Sequence, residues 1–382
     1  MFLPAGADAY AFVFDGHRAL TDPGAIYPQS ASLLAQGWPF VTLYPPSQLL
    51  IAAAYALLPD PVGAELWAAT NIVAAAIALF LLFRLVHRIH PSTAPIFCLL
   101  VICFTPLFED VRLGQRGGLL LLLGVGSMTS LVASRPRMAG VLAGVATALK
   151  FYPGAMLLGV QPRKDWRYGV SLVATAVAVL GVSFIPFGSP ILYFSKVLLP
   201  GLTWNGYTQH DCFQNSTQLL FARVVGGESF SVIDQSGTWR VVHFVPWHFV
   251  QLASILTDVT LIMIIAAALW AVWRSNWSQP YALAVCFSLG TILPGEVFTY
   301  QFLPLLPLFV LVFMKALQDR RIAVLVTMAG AEWILLVSPC SLPLPSLWSV
   351  AALAIFAFAV YMAPAFRRRQ PGSAEGDGSV DR

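Results

Sequence analysis

Tyr168–Phe187 reads YGVSLVATAVAVLGVSFIPF, an apolar run without a charged side chain. Its length fits the roughly 17–25 residues of helix that cross a bilayer. Comparable runs occur at Leu66–Leu85, Leu252–Val272, Ile322–Val337 and Trp348–Ala363. Lipid offers no hydrogen-bond partner to the amides at the edge of a sheet, so such runs form helices. The sequence therefore predicts an all-α, polytopic membrane bundle.

The composition agrees with a bilayer as the main solvent. Of the 382 residues, 58% are hydrophobic and 10% are charged, and the mean hydropathy is +0.75. Soluble domains usually carry about 25% charged residues. The net charge of +4 is spread over short loops without a basic block, so we expect no nucleic-acid partner.

Clusters of Lys and Arg predict which loops face the cytoplasm, because positive loops stay inside. The clusters lie at Arg84–Arg88, Arg135/Arg137, Arg163–Arg167, Arg274, Lys315–Arg321 and Arg367–Arg369. The segments predicted outside are residues 1–46, Phe108–Gln115, residues 189–245, Pro294–Thr299 and Pro339–Ser346. This alternation predicts about nine crossings, with the N-terminus outside and the C-terminus inside.

Two apolar segments do not fit as full crossings. Ser47–Leu58 is bounded by prolines and would give about 18 Å of helix, which is too short to span. Ala139–Val160 lies between two basic clusters, and Lys150–Gly154 contains a helix-breaking proline. We predict two short or re-entrant helices, and irregular backbone at that depth is tolerated where it lines a cavity.

The domain organisation predicted from these patterns is simple. Residues 1–366 form one transmembrane domain, which includes the first outer segment, 1–46, with an interfacial helix, and the long outer loop, 189–245. Residues 367–382 form a disordered cytosolic tail. The chain reaches its first polar stretch without a spanning helix, so we expect a first helix to be missing from this start.

The first outer segment holds the acids Asp8, Asp15 and Asp22. Helical spacing puts Asp8 with Phe12 and makes Asp15 a neighbour of Arg18. Asp15 and Asp22 fit a solvated role. Asp8 lies in an apolar context, where burial would raise the pKa of its carboxyl and let it accept a proton from a hydroxyl.

Five sequence blocks occur in the order and spacing of a known family. They are Asp8-x-x-x-aromatic, Leu43-Tyr44-Pro45-Pro46, Gly114-Gln115-Arg116-Gly117-Gly118-Leu119, Ala139–Gly144 and Lys150-Phe151-Tyr152-Pro153. The chain resembles glycosyltransferase family 87, the polyprenol-phosphate-sugar-dependent mannosyl- and arabinosyltransferases of the C-type membrane fold. The similarity runs from Asp8 to Trp166 and resumes at Gln214-Asn215-Ser216 and Arg223.

The resemblance implies an inverting transfer of mannose or arabinofuranose from a polyprenyl-phosphate donor to a glycan or glycolipid acceptor. The implied location is the outer face of a bacterial inner membrane. By position, Asp8 matches the aspartate that serves as general base. The reaction needs no second carboxylate. We expect no cofactor, and the sequence leaves a divalent metal open.

The resemblance and residue types also suggest binding groups. Candidates for the donor phosphate are Lys150, Arg116, Arg223 and His210, and candidates for the substrates are Tyr44, Gln115, Tyr152, Asn215, Glu296 and Tyr300. Simpler roles stay open for all four phosphate candidates, and Arg223 and His210 fit a folded outer loop equally well. Lys150 can snorkel to the cytoplasmic interface, and Arg116 can cap a helix or pair with Glu109 or Asp110.

One departure from the family keeps other functions open. Family members often carry Trp and His in a late outer loop, where this chain reads Pro294–Gln301 with neither. Glu296 would supply a second acid there. The alternatives are a transporter or flippase for a lipid-linked glycan, and an inactive relative that serves as an assembly subunit.

Overall fold

The computed structural model describes residues 6–35, 44–87, 94–161, 164–199, 217–233, 239–243, 245–276, 278–292, 299–336 and 347–366. Its α-helices are α1 (Ala7–Thr21), α2 (Ile26–Ala35), α3 (Pro46–Tyr55), α4 (Asp60–His87), α5 (Ala94–Cys103), α6 (Thr105–Leu113), α7 (Gly117–Val132), α8 (Pro136–Leu149), α9 (Trp166–Phe187), α10 (Pro190–Leu192), α11 (Thr217–Val224), α12 (Val250–Arg274), α13 (Gln279–Ile292), α14 (Leu306–Gln318), α15 (Ile322–Leu336) and α16 (Leu347–Met362). Short 3-10 segments occupy Pro23–Ala25, Tyr152–Gly159, Thr299–Leu305 and Ala363–Phe366, and Tyr193–Leu198 is a π-helical turn.

The helical architecture confirms the predicted fold class, with one local addition. Ser229–Ile233 (β1) and Trp239–His243 (β2) pair as an antiparallel hairpin, with Ser229 opposite His243. This β-hairpin lies within residues 189–245, the loop that is predicted to be outside the membrane. Its two strands satisfy part of their backbone hydrogen bonds by pairing with each other. A chain that spans a membrane can therefore include a small sheet without conflict.

The predicted number of crossings is not confirmed. Among the described residues, five helices are long and apolar enough to span a membrane: Asp60–His87, Trp166–Phe187, Val250–Arg274, Gln301–Gln318 and Leu347–Phe366. The bent pair α5 and α6 gives a sixth if it counts as one span. The apolar helices α7, α8, α13 and α15 are shorter. The predicted span Ile322–Val337 is therefore helical over only 15 residues of the described chain.

The bend between α5 and α6 has a local cause. The two helices meet at 56°, on either side of Phe104. Pro106 lies in the first turn of α6. Proline has no N–H to donate back to the preceding turn, so the helix breaks just before it.

Both segments that were predicted not to form full crossings are short or broken. Helix α3 has 10 residues. Helix α8 ends at Leu149, and the chain continues as the 3-10 segment Tyr152–Gly159. Gly154 on this second arm faces Thr147 on the first, so the chain reverses direction around Lys150. We call α8 and Tyr152–Gly159 together the hairpin.

Small residues hold the hairpin close to α9. A Cβ on Gly140 would overlap the carbonyl of Tyr168, and a Cβ on Gly144 would lie 2.6 Å from the carbonyl of Leu172. Two glycines four residues apart on one face allow such close approach of helix backbones. The Ala139–Gly144 block that resembles the family therefore has a packing role in this fold.

The largest apolar core joins the middle and the end of the chain. Every residue from Tyr281 to Ile292 on α13 is buried, and α14 is buried along most of its length. Smaller clusters lie under α1 and α3, where Phe12 stacks on Trp67 with ring centroids 4.2 Å apart. Phe12 is thus a core residue, whereas Tyr10 and Phe14 on the same helix are exposed as an interfacial helix requires.

Candidate active site

The turn between α6 and α7 is built around a buried carboxylate. Asp110 is 1% exposed and accepts hydrogen bonds from the backbone N–H groups of Gly117 (2.9 Å) and Gly118 (3.0 Å). These N–H groups open α7 and have no partner within the helix, so the carboxylate satisfies them. Gly114 closes α6 at a φ of 72°, in the left-handed region that favours glycine. The turn holds Gln115 and Arg116 in fixed positions between the two helices.

Gln115 contacts the proposed base directly. Its Nε2 donates a hydrogen bond of 2.5 Å to Oδ2 of Asp8, on the first turn of α1. The backbone N–H of Gly6 donates to the carbonyl of Arg112 (2.8 Å), and Trp67 Nε1 donates to the carbonyl of Gly114 (2.9 Å). The start of α1 is therefore fastened to the end of α6 at Gly6 and to the α6–α7 turn at Asp8, while Trp67 of α4 holds the turn from another helix.

Burial dominates the acidity of Asp8. It raises the pKa of the carboxyl above its usual value, against the opposing effects of the Gln115 hydrogen bond and of the positive charges of Arg116 and Arg112. A raised pKa makes a carboxylate a stronger proton acceptor. The geometry and the electrostatics both suit a base.

Arg116 lies over an aromatic ring on the other side of the turn. Its guanidinium carbon is 4.2 Å from the centroid of Tyr44, and its Nε has no hydrogen-bond partner among the described residues. The carbonyl of Tyr44 accepts a hydrogen bond from the Tyr27 hydroxyl (2.8 Å), which fixes this ring's backbone. Of the alternative partners considered for Arg116, Glu109 instead binds Arg112 at 2.7 Å. Arg116 occupies the N-cap position of α7 without a side-chain cap bond.

Lys150 lies at the reversal of the hairpin. Its Nζ is 5.4 Å from the centroid of the Tyr152 ring, and it is within electrostatic range of Arg116 and Asp110. Arg135 and Arg137 lie at the opposite end of α8, about 20 Å away at 1.5 Å per residue. The neighbours of Lys150 therefore differ from those expected for a lysine that snorkels to that basic cluster.

The structure thus brings six of the candidate residues into one region. This region is formed by the starts of α1, α3 and α7 and by the ends of α6 and α8. They are Asp8, Tyr44, Gln115, Arg116, Lys150 and Tyr152. Arg223 is buried on α11, whose first residue, Thr217, donates to the carbonyl of Ile292 at the end of α13. The role of Arg223 stays a prediction.

Four other candidates are not tested. His210, Asn215 and Glu296 lie outside the described residues, and of Tyr300 only the backbone, in Thr299–Leu305, is described. The cytosolic tail 367–382 also lies outside them. Within the described part of the chain, no group of three or more His, Cys, Asp or Glu side chains could hold a metal ion.

The second arm of the hairpin leads from this region into an apolar groove. The groove has a volume of about 860 Å³ and lies between the hairpin, α9 and one residue of α12. Its lining includes Leu157, Leu158, Val170, Val173, Val177 and Leu269. Grooves lined mainly by apolar side chains bind apolar ligands.

The sequence reasoning missed the role of Asp110. It was considered only as a charge partner for Arg116, whereas its carboxylate binds the backbone. The available signal was its position seven residues before Gly117-Gly118 at the start of an apolar helix, where N–H groups need an acceptor.

Two curated proteins are similar to part of the chain. Both are named Alpha-(1->3)-arabinofuranosyltransferase and come from two strains of Mycobacterium tuberculosis; each is 29% identical over 214 residues, which is 53% of this chain and 48% of the relative. The chain thus spans about half the length of these relatives. No solved structure matches it.

A family comparison covers more of the chain and includes most of the region just described. The model of glycosyltransferase family 87 matches residues 42–299, which is more than half of the sequence. The matched range contains Tyr44, Gln115, Arg116, Lys150 and Tyr152 and excludes Asp8. The chain belongs to glycosyltransferase family 87.

Proposed function

We propose that this protein transfers a sugar from a polyprenyl-phosphate donor to a glycan or glycolipid acceptor, with inversion at the anomeric carbon. The observation that carries the proposal is that one half-buried carboxylate, Asp8, and two cationic side chains, Arg116 and Lys150, lie around the α6–α7 turn. An inverting transfer needs a base on the acceptor and positive charge on the leaving phosphate. The site supplies both.

The proposed step begins at the acceptor hydroxyl. Asp8 takes its proton while the oxygen attacks the anomeric carbon, and the bond from that carbon to the phosphate oxygen breaks on the opposite face. The phosphate leaves with the electron pair. Arg116 and Lys150 stabilise the charge that develops on it, as cationic groups do for departing phosphates. Gln115 keeps the carboxylate of Asp8 oriented through its hydrogen bond.

We expect Arg116 to bind a phosphate because one of its N–H groups lacks a hydrogen-bond partner among the described residues. Its Nε–H has no partner among the described residues, and Tyr44 supports the guanidinium plane. A guanidinium presents a planar fork that binds phosphate oxygens in pairs. In this proposal the donor phosphate supplies the missing partner of this buried N–H group.

The apolar groove gives the lipid part of the donor a place to lie. The hairpin connects Lys150 to Leu157 and Leu158 in the groove. A polyprenyl chain whose phosphate contacts Lys150 would follow the second arm along this surface. The transferred sugar is arabinofuranose rather than mannose in this proposal, because the matched relatives carry an arabinofuranosyltransferase name.

The proposal places the site on the extracytoplasmic side of a bacterial inner membrane. Support comes from the basic residues Arg135 and Arg137, which lie at the far end of α8 from Lys150. About nine crossings would require the bent pair α5 and α6 to form one span. The shorter helices α7, α13 and α15, with the segments that adjoin them, would also have to span, in addition to the five long helices. A cysteine placed at residue 210 should react with impermeant reagents in intact cells, and protection would overturn this orientation.

The activity is tested with the purified protein in lipid nanodiscs and a panel of polyprenyl-phosphate sugars. We expect transfer from the arabinofuranosyl donor, with the anomeric configuration of the product inverted as measured by NMR. Transfer from none of the donors, together with translocation of lipid-linked glycans in proteoliposomes, would favour the transporter instead. Absence of both activities would favour an assembly subunit. A parallel reaction with a chelator tests metal dependence.

A further inference from the structure

One fully buried polar side chain in the site region lacks partners. Gln48, in the first turn of α3, is 2% exposed, and neither its Oε1 nor its Nε2 has a hydrogen-bond partner among the described residues. Burial of an amide without hydrogen bonds is strongly unfavourable in proteins. Such a group is expected to have a partner in the working state of the protein.

Helix α3, which carries Gln48, borders the proposed site. Residues three and four apart share a helix face, so Gln48 lies above Ile51 and Ala52. Ile51 packs with the cluster of Leu120 and Leu149, beside Tyr152. Helical side chains also lean toward the N-terminus, and the N-terminus of α3 follows directly on Tyr44.

The neighbouring residue fixes this placement. The hydroxyl of Ser47 donates to the carbonyl of Ala148, two residues before Lys150. Tyr44 lies just before α3 in the chain, and its ring makes a cation–π contact with the guanidinium of Arg116. Gln48 therefore follows, within four residues, Tyr44 and Ser47, which contact Arg116 and the end of α8 next to Lys150, the two groups that are proposed to bind the donor phosphate.

The chemistry of an amide selects the group that would bind it. A phosphate oxygen only accepts hydrogen bonds, so it would satisfy Nε2 and leave Oε1 without a partner. A hydroxyl both donates and accepts, and a pair of adjacent hydroxyls satisfies both amide atoms. The donor offers such hydroxyls on its sugar ring, next to the phosphate.

We propose that Gln48 binds hydroxyl groups of the transferred sugar and helps to select it. This inference rests on the proposed function and deepens it, because it assigns the sugar to the space beside α3, between Arg116 and Lys150. Sites built to bind a substrate hydroxyl discriminate strongly against analogues that lack it, because the buried protein group is then left unpaired.

The first test separates a binding role from a structural one. Gln48→Leu keeps the approximate volume and removes the unpartnered amide, so the unfolding midpoint of the ligand-free protein should rise or stay unchanged. A structural hydrogen bond at this position would instead make the midpoint fall. The matched control is Ser349→Ala, because Ser349 on α16 is also buried and its hydroxyl lacks a partner among the described residues.

The second test measures transfer. We expect Gln48→Leu to lower kcat/KM by about tenfold to a hundredfold, the range expected for a lost hydrogen-bonded contact to a substrate. Ser349→Ala should keep kcat/KM near that of the wild type. A donor that lacks one ring hydroxyl should lose a similar factor with the wild type and little more with Gln48→Leu. Gln48→Glu, which keeps an acceptor, should retain part of the activity.

Several outcomes would overturn the inference. Unchanged kcat/KM in Gln48→Leu would do so, as would a loss that accompanies a fall in its unfolding midpoint. Additive losses from the variant and the deoxy donor would also exclude a direct contact. Failure of the proposed function is distinguishable, because the wild type would then neither transfer from any donor nor be stabilised by one against unfolding.

Discussion

The region that carries the proposed site and the bundle that ends the described chain are built in opposite ways. The site region uses short helices, such as α1, α3 and α6, with 15, 10 and 9 residues. It buries polar side chains, among them Ser47, Gln48, Asn71, Asp110 and Gln115. The final bundle buries the whole of Tyr281–Ile292 and nearly all of α14 in apolar packing.

This contrast shows how the two parts divide the work. Short helices bring many chain ends together, and chain ends offer the backbone and side-chain groups that bind ligands. Long apolar helices give a stiff wall, because close-packed interiors resist displacement. The two parts meet where Gly290 of α13 lies against the ring of Tyr152.

The largest effect on the site region is expected from removing the proposed base, Asp8. Asp8→Asn keeps the size of the side chain and the contact to Gln115 but cannot accept a proton, so kcat should fall about 10²–10⁴-fold. Asp22→Asn, at the other, exposed end of α1, is the control and should change kcat little. Kinetics of transfer in nanodiscs give the measurement. Full activity in Asp8→Asn would show that the base lies elsewhere.

A smaller effect is expected from the cation that faces Tyr44. Arg116→Lys keeps the charge but loses the planar donor edge and the stacking, so kcat/KM should fall about tenfold to a hundredfold. Arg18→Lys is the control, because Arg18 binds Gln29 on the exposed side of α1. If both variants behave like the wild type in a titration of the donor, Arg116 does not bind the phosphate.

The contact between the two regions can be tested by adding one methyl group at Gly290. A Cβ on Gly290 would overlap the Tyr152 ring, so Gly290→Ala should lower the free energy of unfolding by about 1–3 kcal/mol. The control is Gly330→Ala on α15, where a Cβ meets nothing within 4 Å. That variant should be neutral or more stable by up to about 1 kcal/mol. Equal stabilities of the two variants would mean that the contact with Tyr152 is loose.

The smallest expected effect is a shift in a pH profile. Burial raises the pKa of Asp8 above its usual 3.8, so activity should decline with falling pH at a value above 3.8, as the carboxylate takes up a proton. The hydrogen bond from Gln115 lowers this pKa, and Gln115→Leu should therefore move the acidic limb to higher pH. If the acidic limb does not move, Gln115 does not affect the pKa of the group whose protonation limits activity.

Local patterns in the sequence were enough to predict the helical class, the break at Lys150 and the neighbours Asp15 and Arg18, which are 3.6 Å apart. These features depend on residues close together in the chain. The contact of Gln115 with Asp8 joins positions 107 residues apart, and only the family resemblance suggested that both belong to one site. The burial of Gln48 had no signal, because a polar residue that opens a helix is usually solvated.

Glu332 shows a further limit of sequence reasoning. The structure buries it on α15, with Oε1 lacking a hydrogen-bond partner among the described residues. A pattern of apolar residues predicts that a helix is buried on one face, but it does not predict which neighbour meets a polar residue there.

The turn between α6 and α7 has a consequence for chemical inhibition. In the proposed mechanism Gln115 orients the base and Arg116 binds the leaving phosphate, and these two residues are consecutive, with Cα atoms about 3.8 Å apart. A compact molecule with an amine beside a phosphonate could therefore engage both halves of the reaction. Such a compound would need no lipid tail to reach them, and its size would suit the development of soluble inhibitors.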